Sequence, residues 1–390
     1  MVKDVNSAEN SNHESLRVVV AAKDTSEPKK YIWADKYRPV VLSDFICNKD
    51  KANELQKVIK KDEEYGYFIF EGQVGVGKRT MIWALLREAY GPDKVMARDE
   101  CKTFNLKGEK VSSNIIVNVK ESSQHIEVNL SELKGYEKHV IVELINLIIS
   151  SSAAAVILHE ADSLSTDAWV DIRCVIAHYR GRLNVFFCCQ DASKLQHLMN
   201  ICKLIQILPP SNKEIVEVME LIARNEKIDL PRQLAERIAT SSKNNLRQAI
   251  RSFEANWHHN SLLEEDQIIL TGWEDEIADI AKSIVEKQSP KQLYTIRRKL
   301  QNLIDHRVPP EFTFQTLEDE LKKHVDESLH MLIHQTYKEY TGKVYERLHN
   351  NERKTVIKQF MNIEEYIAKF MSCYKTYLAK QALDMTECKG

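Results

Sequence analysis

Phe68-Ile-Phe-Glu-Gly-Gln-Val-Gly-Val-Gly-Lys-Arg-Thr80 decides how this chain is read. An apolar run, a glycine-rich turn and a helix beginning near Lys78 follow one another directly. Gly72, Gly75 and Gly77 let the backbone bend with its N–H groups turned inward, and those donors form a nest for phosphate at the helix N-terminus. Lys78 stands where an ammonium on a flexible stem reaches the outer phosphates of a nucleotide. The pattern then asks for Ser or Thr directly after the lysine, because that hydroxyl ligates Mg²⁺. Arg79 holds the position, and Thr80 comes one residue late. Taken alone, Arg79 reads as a solvated residue at a helix start.

Working outward, strand and helix signals alternate from Tyr31 to about Leu208. A strand over Tyr67–Phe70 leads into a helix over Lys78–Tyr90. Two alternating stretches, Asn114–Val119 and His125–Leu130, read as a β-hairpin. A helix over His139–Ile149, a strand over Ala155–Leu158, a helix over Thr166–Tyr179 and strands over Leu183–Cys189 and Leu204–Ile207 complete an α/β pattern. Pro209-Pro210 breaks it. Beyond that point helices are expected over Asn212–Asn225, Pro231–Ser241 and Asn245–Trp257. From Trp273 onward there is almost no strand signal, and Pro309-Pro310 divides the helical remainder. Residues 1–30 are polar, lack periodicity and read as a disordered tail.

A chain of 390 residues with 43% hydrophobic content has room for two or three domains. Its 29% charged residues nearly balance, at a formal net charge of −2, which argues against strong autonomous nucleic-acid binding. The eight cysteines form no CxxC pair and no zinc-finger spacing, as expected of free thiols in a reducing compartment. Arg17–Ala22 is too short for a signal core. The apolar window at Val140–Ile149 is interrupted by Glu143 and Asn146, so no membrane partner is expected.

A phosphate loop that works with a metal needs a second, acidic strand end. The candidate is Val156-Ile-Leu-His-Glu-Ala-Asp162. In phosphate-loop ATPases such a strand ends Asp-Glu, with Asp in the metal's shell and Glu orienting the attacking water. Glu160 is present, but the Asp position is His159, and a neutral imidazole suits a hard oxygen-seeking cation poorly. His159 reads as a solvated or core-edge histidine. No metal ligand is assigned.

With these residues in view, Ile32-Trp-Ala-Asp-Lys-Tyr-Arg-Pro39 resembles the box that opens subunits of the AAA+ clamp loaders of the replication factor C family. The loop ending Gly77-Lys-Arg-Thr80, the stretch His125-Ile-Glu-Val-Asn129, Glu160-Ala-Asp-Ser-Leu164 and Tyr366–Lys375 resemble the third small-subunit type, from which this chain would be a divergent paralogue. The resemblance implies an AAA+ domain over 31–209 with parallel sheet and helices on both faces, carrying a hairpin insertion at about 114–130. A helical lid over 210–265 and an all-α collar over 266–390 would follow.

The resemblance also places sites. Tyr37 and Arg38 of the opening box, with Gly72, Gly75, Gly77, Lys78, Arg79 and Thr80, would surround ATP or ADP, with Mg²⁺ left open. Glu160 and Gln190 fall on the catalytic and first-sensor positions, and Arg247 on the second sensor in the lid. The arginine finger offered to a neighbouring subunit falls on Ile201, which cannot stabilise transition-state charge; such a finger is worth roughly three to five orders of magnitude in rate. The implied partners are other replication factor C subunits in a hetero-pentamer, a sliding clamp, and primer–template DNA met through the assembled ring. The implied address is nuclear and the role replication and repair. Two readings stand side by side: a clamp-loader subunit that binds ATP with little turnover alone, or a nonhydrolytic structural or regulatory paralogue that assembles through the collar.

Overall fold

A computed structural model describes residues 31–60, 66–107, 112–133, 135–150, 153–164, 166–179, 181–306, 308–345 and 352–387; the tail read at 1–30 lies outside them. Seven strands, β1 (Tyr67–Glu71), β2 (Arg98–Lys107), β3 (Ser112–Glu121), β4 (His125–Asn129), β5 (Ala155–His159), β6 (Asn184–Cys189) and β7 (Cys202–Gln206), form one sheet in the order β2-β3-β4-β5-β6-β1-β7. β4, β5, β6, β1 and β7 run parallel.

The central parallel strands β1, β5 and β6 are apolar along most of their length because helices cover both faces. Val156, Leu158, Val185 and Phe187 face one core, built with α4 (Glu137–Ser150) and α5 (Thr166–His178) through Ile141, Leu144, Trp169 and Ile172. Ile157, Phe186 and Phe70 face the other, packed with Leu55 of α2 (Lys49–Lys60) and Ile82 and Leu85 of α3 (Lys78–Tyr90). The short α1 (Trp33–Lys36) precedes them.

The sheet is not parallel throughout. The hairpin read over 114–130 is present only as a short antiparallel pairing of β3 with β4, from Val119↔Val128 to Glu121↔Ile126. The main partner of β3 is β2, which pairs with it from Arg98↔Glu121 to Lys107↔Ser112. Nothing in Arg98-Asp-Glu-Cys-Lys-Thr-Phe-Asn-Leu-Lys107 alternates cleanly enough to announce a strand. As an edge strand it needs no buried apolar face, and the Lys102–Glu121 and Lys120–Asp99 ion pairs tie it to β3 from solvent.

After β7 come α6 (Asn212–Glu226), α7 (Arg232–Ser241) and α8 (Leu246–His259). Ser211 and Glu214 close a reciprocal capping box at the start of α6. The chain up to Phe253, with Leu262–Gln267, forms one compact unit, and Glu254–Ser261 with the chain from Ile268 forms another. The second unit is helical: α9 (Glu274–Glu286), α10 (Pro290–Asp305), α11 (Pro310–His324), α12 (His330–Tyr345) and α13 (Glu352–Glu387). Pro290 and Pro310 sit in the first turns of their helices, where a missing N–H costs nothing. Ile277, Ile280, Leu300, Phe314, Leu317, Tyr366 and Phe370 give this unit its own core. No described helix is long and apolar enough to cross a membrane.

Candidate functional site

The carboxyl ends of adjacent parallel strands make the crevice of an open α/β sheet. Here β1 ends in the glycine loop, β4 at Asn129 and β5 at His159, the last two directly opposite in register. Gly77, at φ 103°, turns the chain into α3 in a conformation that disfavours any side chain. Gly75 is constrained by space as well: a Cβ there would lie 2.0 Å from Asn245 Oδ1. That oxygen accepts from Gln248 N at 3.1 Å at the start of α8, so the contact fixes the loop against the helix that carries Arg247.

The result is a cleft of about 430 Å³, in the range of small-ligand sites. Of the residues singled out in the sequence, it brings together Gly75, Gly77, Lys78, Arg79, Thr80, Glu160 and Arg247. Gly72, Tyr37, Arg38 and Gln190 are not among its lining residues. Lys78 Nζ donates to the Gly72 and Gln73 carbonyls at 2.5 and 2.9 Å, and burial lowers its pKa against the opposing pull of Glu160. Arg247 keeps exposed surface, yet protein atoms crowd it on enough sides that desolvation and then the Arg38 charge lower its pKa; it forms an open wall of the cleft. Glu160 sits just past β5 at φ 53°, with Gln190 Nε2 donating to Oε2 at a long 3.4 Å.

At the other end of the cleft lies a residue that sequence reasoning passed over. Glu127 on β4 is 2% exposed and accepts from four donors. Arg79 Nε and His159 Nε2 each reach Oε2 at 2.8 Å. Trp83 Nε1 and His125 Nε2 reach Oε1 at 2.6 and 3.2 Å. Burial pushes the Glu127 pKa up, but the bonds from His125 and His159 and the charge of Arg79 win and hold it well below the ordinary carboxylate value. Burial likewise works against a charged His159, but contacts with Cys188 and Glu127 overcome it and raise its pKa to about 9. Arg79 is not the solvated residue that the sequence suggested, and of the two readings of His159, solvated or core-edge, the structure shows the core-edge one, with its ring bound to Glu127. Arg79 is anchored and also lies 4.4 Å from the Trp83 ring centroid, a cation–π contact.

Thr80 and the opening box are tied up elsewhere. Thr80 Oγ1 accepts from Arg38 Nη1 at 2.8 Å, and Arg38 also lies 5.4 Å from the Trp83 centroid. Tyr37 donates to Glu226 at the end of α6 at 2.6 Å, beside a Lys36–Glu226 ion pair. Ile201 packs against the core under the sheet, leaving its position to apolar packing.

The fold type would place Mg²⁺ between Lys78 and the β5 end, and the donors present do not fit it. A guanidinium stands at the hydroxyl position, the nearby Thr80 hydroxyl is bound by another guanidinium, and His159 is committed to Glu127. Both carboxylate oxygens of Glu127 are already filled by two donors each, using the lone pairs that a metal would need. Among the described residues no group of three or more His, Cys, Asp or Glu side chains could hold a metal ion.

The signal for Glu127 was present. His125, Glu127 and Asn129 fall on one face of an internal parallel strand, where both faces must be covered. A carboxylate there has to meet cations. Their identity was not legible, because the partners come from α3 and from the end of β5.

The chain matches two families. The one described as replication factor C subunit 3, C-terminal domain, covers residues 273–378. The other, described as RCF1/5-like, AAA+ ATPase lid domain, covers residues 217–256. Among curated proteins it is 32% identical over 358 residues to the probable replication factor C subunit 3 of Dictyostelium discoideum, across 89% of this chain and 99% of that one. It is 30% identical to replication factor C subunit 3 of Arabidopsis thaliana, across 89% and 98%. The human replication factor C subunit 3 is 28% identical, across 89% and 97%. Among solved structures, a point variant of Thermotoga maritima RuvB aligns at a TM-score of 0.42 and 15% identity over 69% of this chain and 88% of that one, too loose a likeness to carry function.

Proposed function

The chain belongs to the replication factor C family, and we propose that it is a clamp-loader subunit that holds adenine nucleotide and turns it over slowly if at all. The observation that carries this is the division of the cleft. Its phosphate end keeps the glycine loop, Lys78 and Arg247, whereas the positions that serve metal binding hold Arg79 and His159, both engaged with Glu127. Loop N–H groups and Lys78 would hold the phosphates of ATP or ADP, and Arg247 would report the bound nucleotide to α8. Glu160, with Gln190 on its carboxylate, is the group able to orient a water.

In this reading the subunit joins other replication factor C subunits in a hetero-pentameric ring through its C-terminal helices. It takes part there in placing a sliding clamp on primer–template DNA during replication and repair in the nucleus. DNA is met through the ring, which fits a chain with a net charge near zero. A second reading is favoured by Ile201, whose apolar packing leaves the neighbour's site without an arginine. In it, the chain is a nonhydrolytic structural or regulatory paralogue that assembles through its C-terminal helices without ATPase or arginine-finger function.

Reconstitution with the other small subunits, using the wild-type chain and Lys78→Ala, separates the two. The first reading expects wild type to bind ATP and enter the ring, and the variant to lose nucleotide and impair clamp loading. Undiminished loading by a nucleotide-free variant would favour the second. Failure of the wild-type chain to associate with any clamp-loader subunit would sink both.

A further inference from the structure

We propose that this cleft carries its own cation in place of Mg²⁺: Arg79, held by Glu127 and Trp83, makes the site one for metal-free nucleoside di- or triphosphate. This rests on the reading of the cleft as a nucleotide site and names the form of nucleotide that it takes.

Arg79 directly follows Lys78 in the first turn of α3, at the sequence position whose hydroxyl would otherwise hold a metal, and it lines the cleft beside the phosphate loop. It uses Nε to bind Glu127 and makes no other hydrogen bond or ion pair among the described residues, which leaves both terminal amino groups to donate. Its side chain is 28% exposed and lines the cleft. The anchoring is unusually complete. A carboxylate buried like Glu127 survives as an anion only when paired, and here its four donors fix both its charge and its position. The guanidinium also lies 4.4 Å from the Trp83 ring centroid, so with Nε held by Glu127 part of its rotamer freedom is already restricted before binding.

The same arrangement disfavours the metal. A dication at this place would sit beside Arg79 and His159, find Glu127 filled by two donors on each oxygen and the Thr80 hydroxyl already bound by the Arg38 guanidinium, and gain only Glu160 on the β5 side. A nucleotide that arrives with Mg²⁺ therefore has to shed it. An ordinary phosphate loop binds the Mg²⁺ complex best; this one would bind the free polyanion best.

The test is a calorimetric titration of the full chain with ADP, once in excess Mg²⁺ and once in EDTA at matched ionic strength. Wild type is expected to bind in EDTA at least as tightly as in Mg²⁺. Arg79→Ser should lose tenfold or more of its affinity in EDTA, with Arg79→Lys recovering part of it because the charge returns without the planar fork. Thermal unfolding of each variant separates lost binding from lost fold. Arg79→Ser with His159→Asp should shift the preference toward Mg²⁺. Wild-type binding that weakens tenfold or more in EDTA would overturn the internal cation while leaving the nucleotide reading intact. So would a folded Arg79→Ser that keeps its affinity in EDTA. No binding by wild type in either buffer would remove the nucleotide reading, and this inference with it.

Discussion

The two ends of the cleft are built from different materials. The phosphate end is backbone: Gly75 pressed on Asn245, Gly77 at φ 103°, and α3 starting behind them. The metal end is side chain: Arg79, Glu127, His159 and Trp83, drawn from α3, β4 and β5. Backbone geometry tolerates change at a neighbouring side chain, so the loop keeps its form although the residue after Lys78 has changed from hydroxyl to guanidinium. A side-chain site changes its chemistry with each substitution. It stays folded only when the new charges are mutually satisfied, and Glu127 provides that satisfaction. The difference teaches that a phosphate loop marks a nucleotide-binding scaffold, while hydrolysis has to be argued from the opposite wall.

The comparison is broken most severely at Glu127. Glu127→Gln removes the anion that two cations share. Because Arg79 and His159 are 28% and 23% exposed, water relieves part of the loss, and the expected destabilisation is about 3 kcal/mol, the low end for a broken buried pair. Urea unfolding measures it, and a change under about 1 kcal/mol would show that the cluster is not held by charge. Lys78→Ala attacks the other end. It should leave stability nearly unchanged and weaken ADP binding about 100-fold, or ~2.7 kcal/mol. If that variant instead unfolds, the backbone loop depends on its lysine bonds to Gly72 and Gln73.

A pH series sharpens the side-chain end further. His159 has its folded pKa raised from the ordinary 6.5 to about 9. Its contribution to stability is therefore complete below about 6.5 and is lost as the pH rises through about 9, a fall on the order of 2 kcal/mol. Glu127 acts in the other direction. Its folded pKa is depressed, so its contribution is present above the ordinary carboxylate value and fades as the pH falls toward the depressed one. Chemical denaturation from about pH 6 to about pH 9 should show the decline in wild type and a flatter profile in His159→Asn. Equal slopes would remove His159 from the cluster.

The smallest expected effect lies at Ile201. Replacing it by Arg takes a half-buried side chain out of the core under the sheet, costing about 1 kcal/mol. The chain's own nucleotide affinity should not change. In a reconstituted ring the new guanidinium should raise the ATP turnover of the neighbouring subunit. An assembled ring with unchanged turnover would show that the neighbour does not use this position.

Much of this was legible in the sequence, and the exceptions have physical causes. β1, β5 and β6 showed themselves as unbroken apolar runs because parallel strands are covered on both faces, and α6 to α8 showed themselves by period and by the Pro and Ser at their starts. β2 stayed hidden because an edge strand paired through Lys102 and Lys120 needs no apolar alternation. Arg79 and His159 were visible as departures from a pattern, but what they do depends on a carboxylate 48 positions beyond Arg79 and 32 before His159. Linear spacing cannot show a charge cluster assembled by sheet order.

The claim that the two ends have parted company is tested most directly by a single-turnover experiment. The purified chain, in excess over radiolabelled ATP and with Mg²⁺ present, is followed for conversion of bound ATP to ADP. Bound nucleotide that stays ATP over many times the turnover period of an ordinary motor ATPase is the expected result. Conversion of the bound ATP at a motor-like rate would contradict the account, because a cleft ending in Arg79, Glu127 and His159 would then be doing the chemistry assigned to a metal.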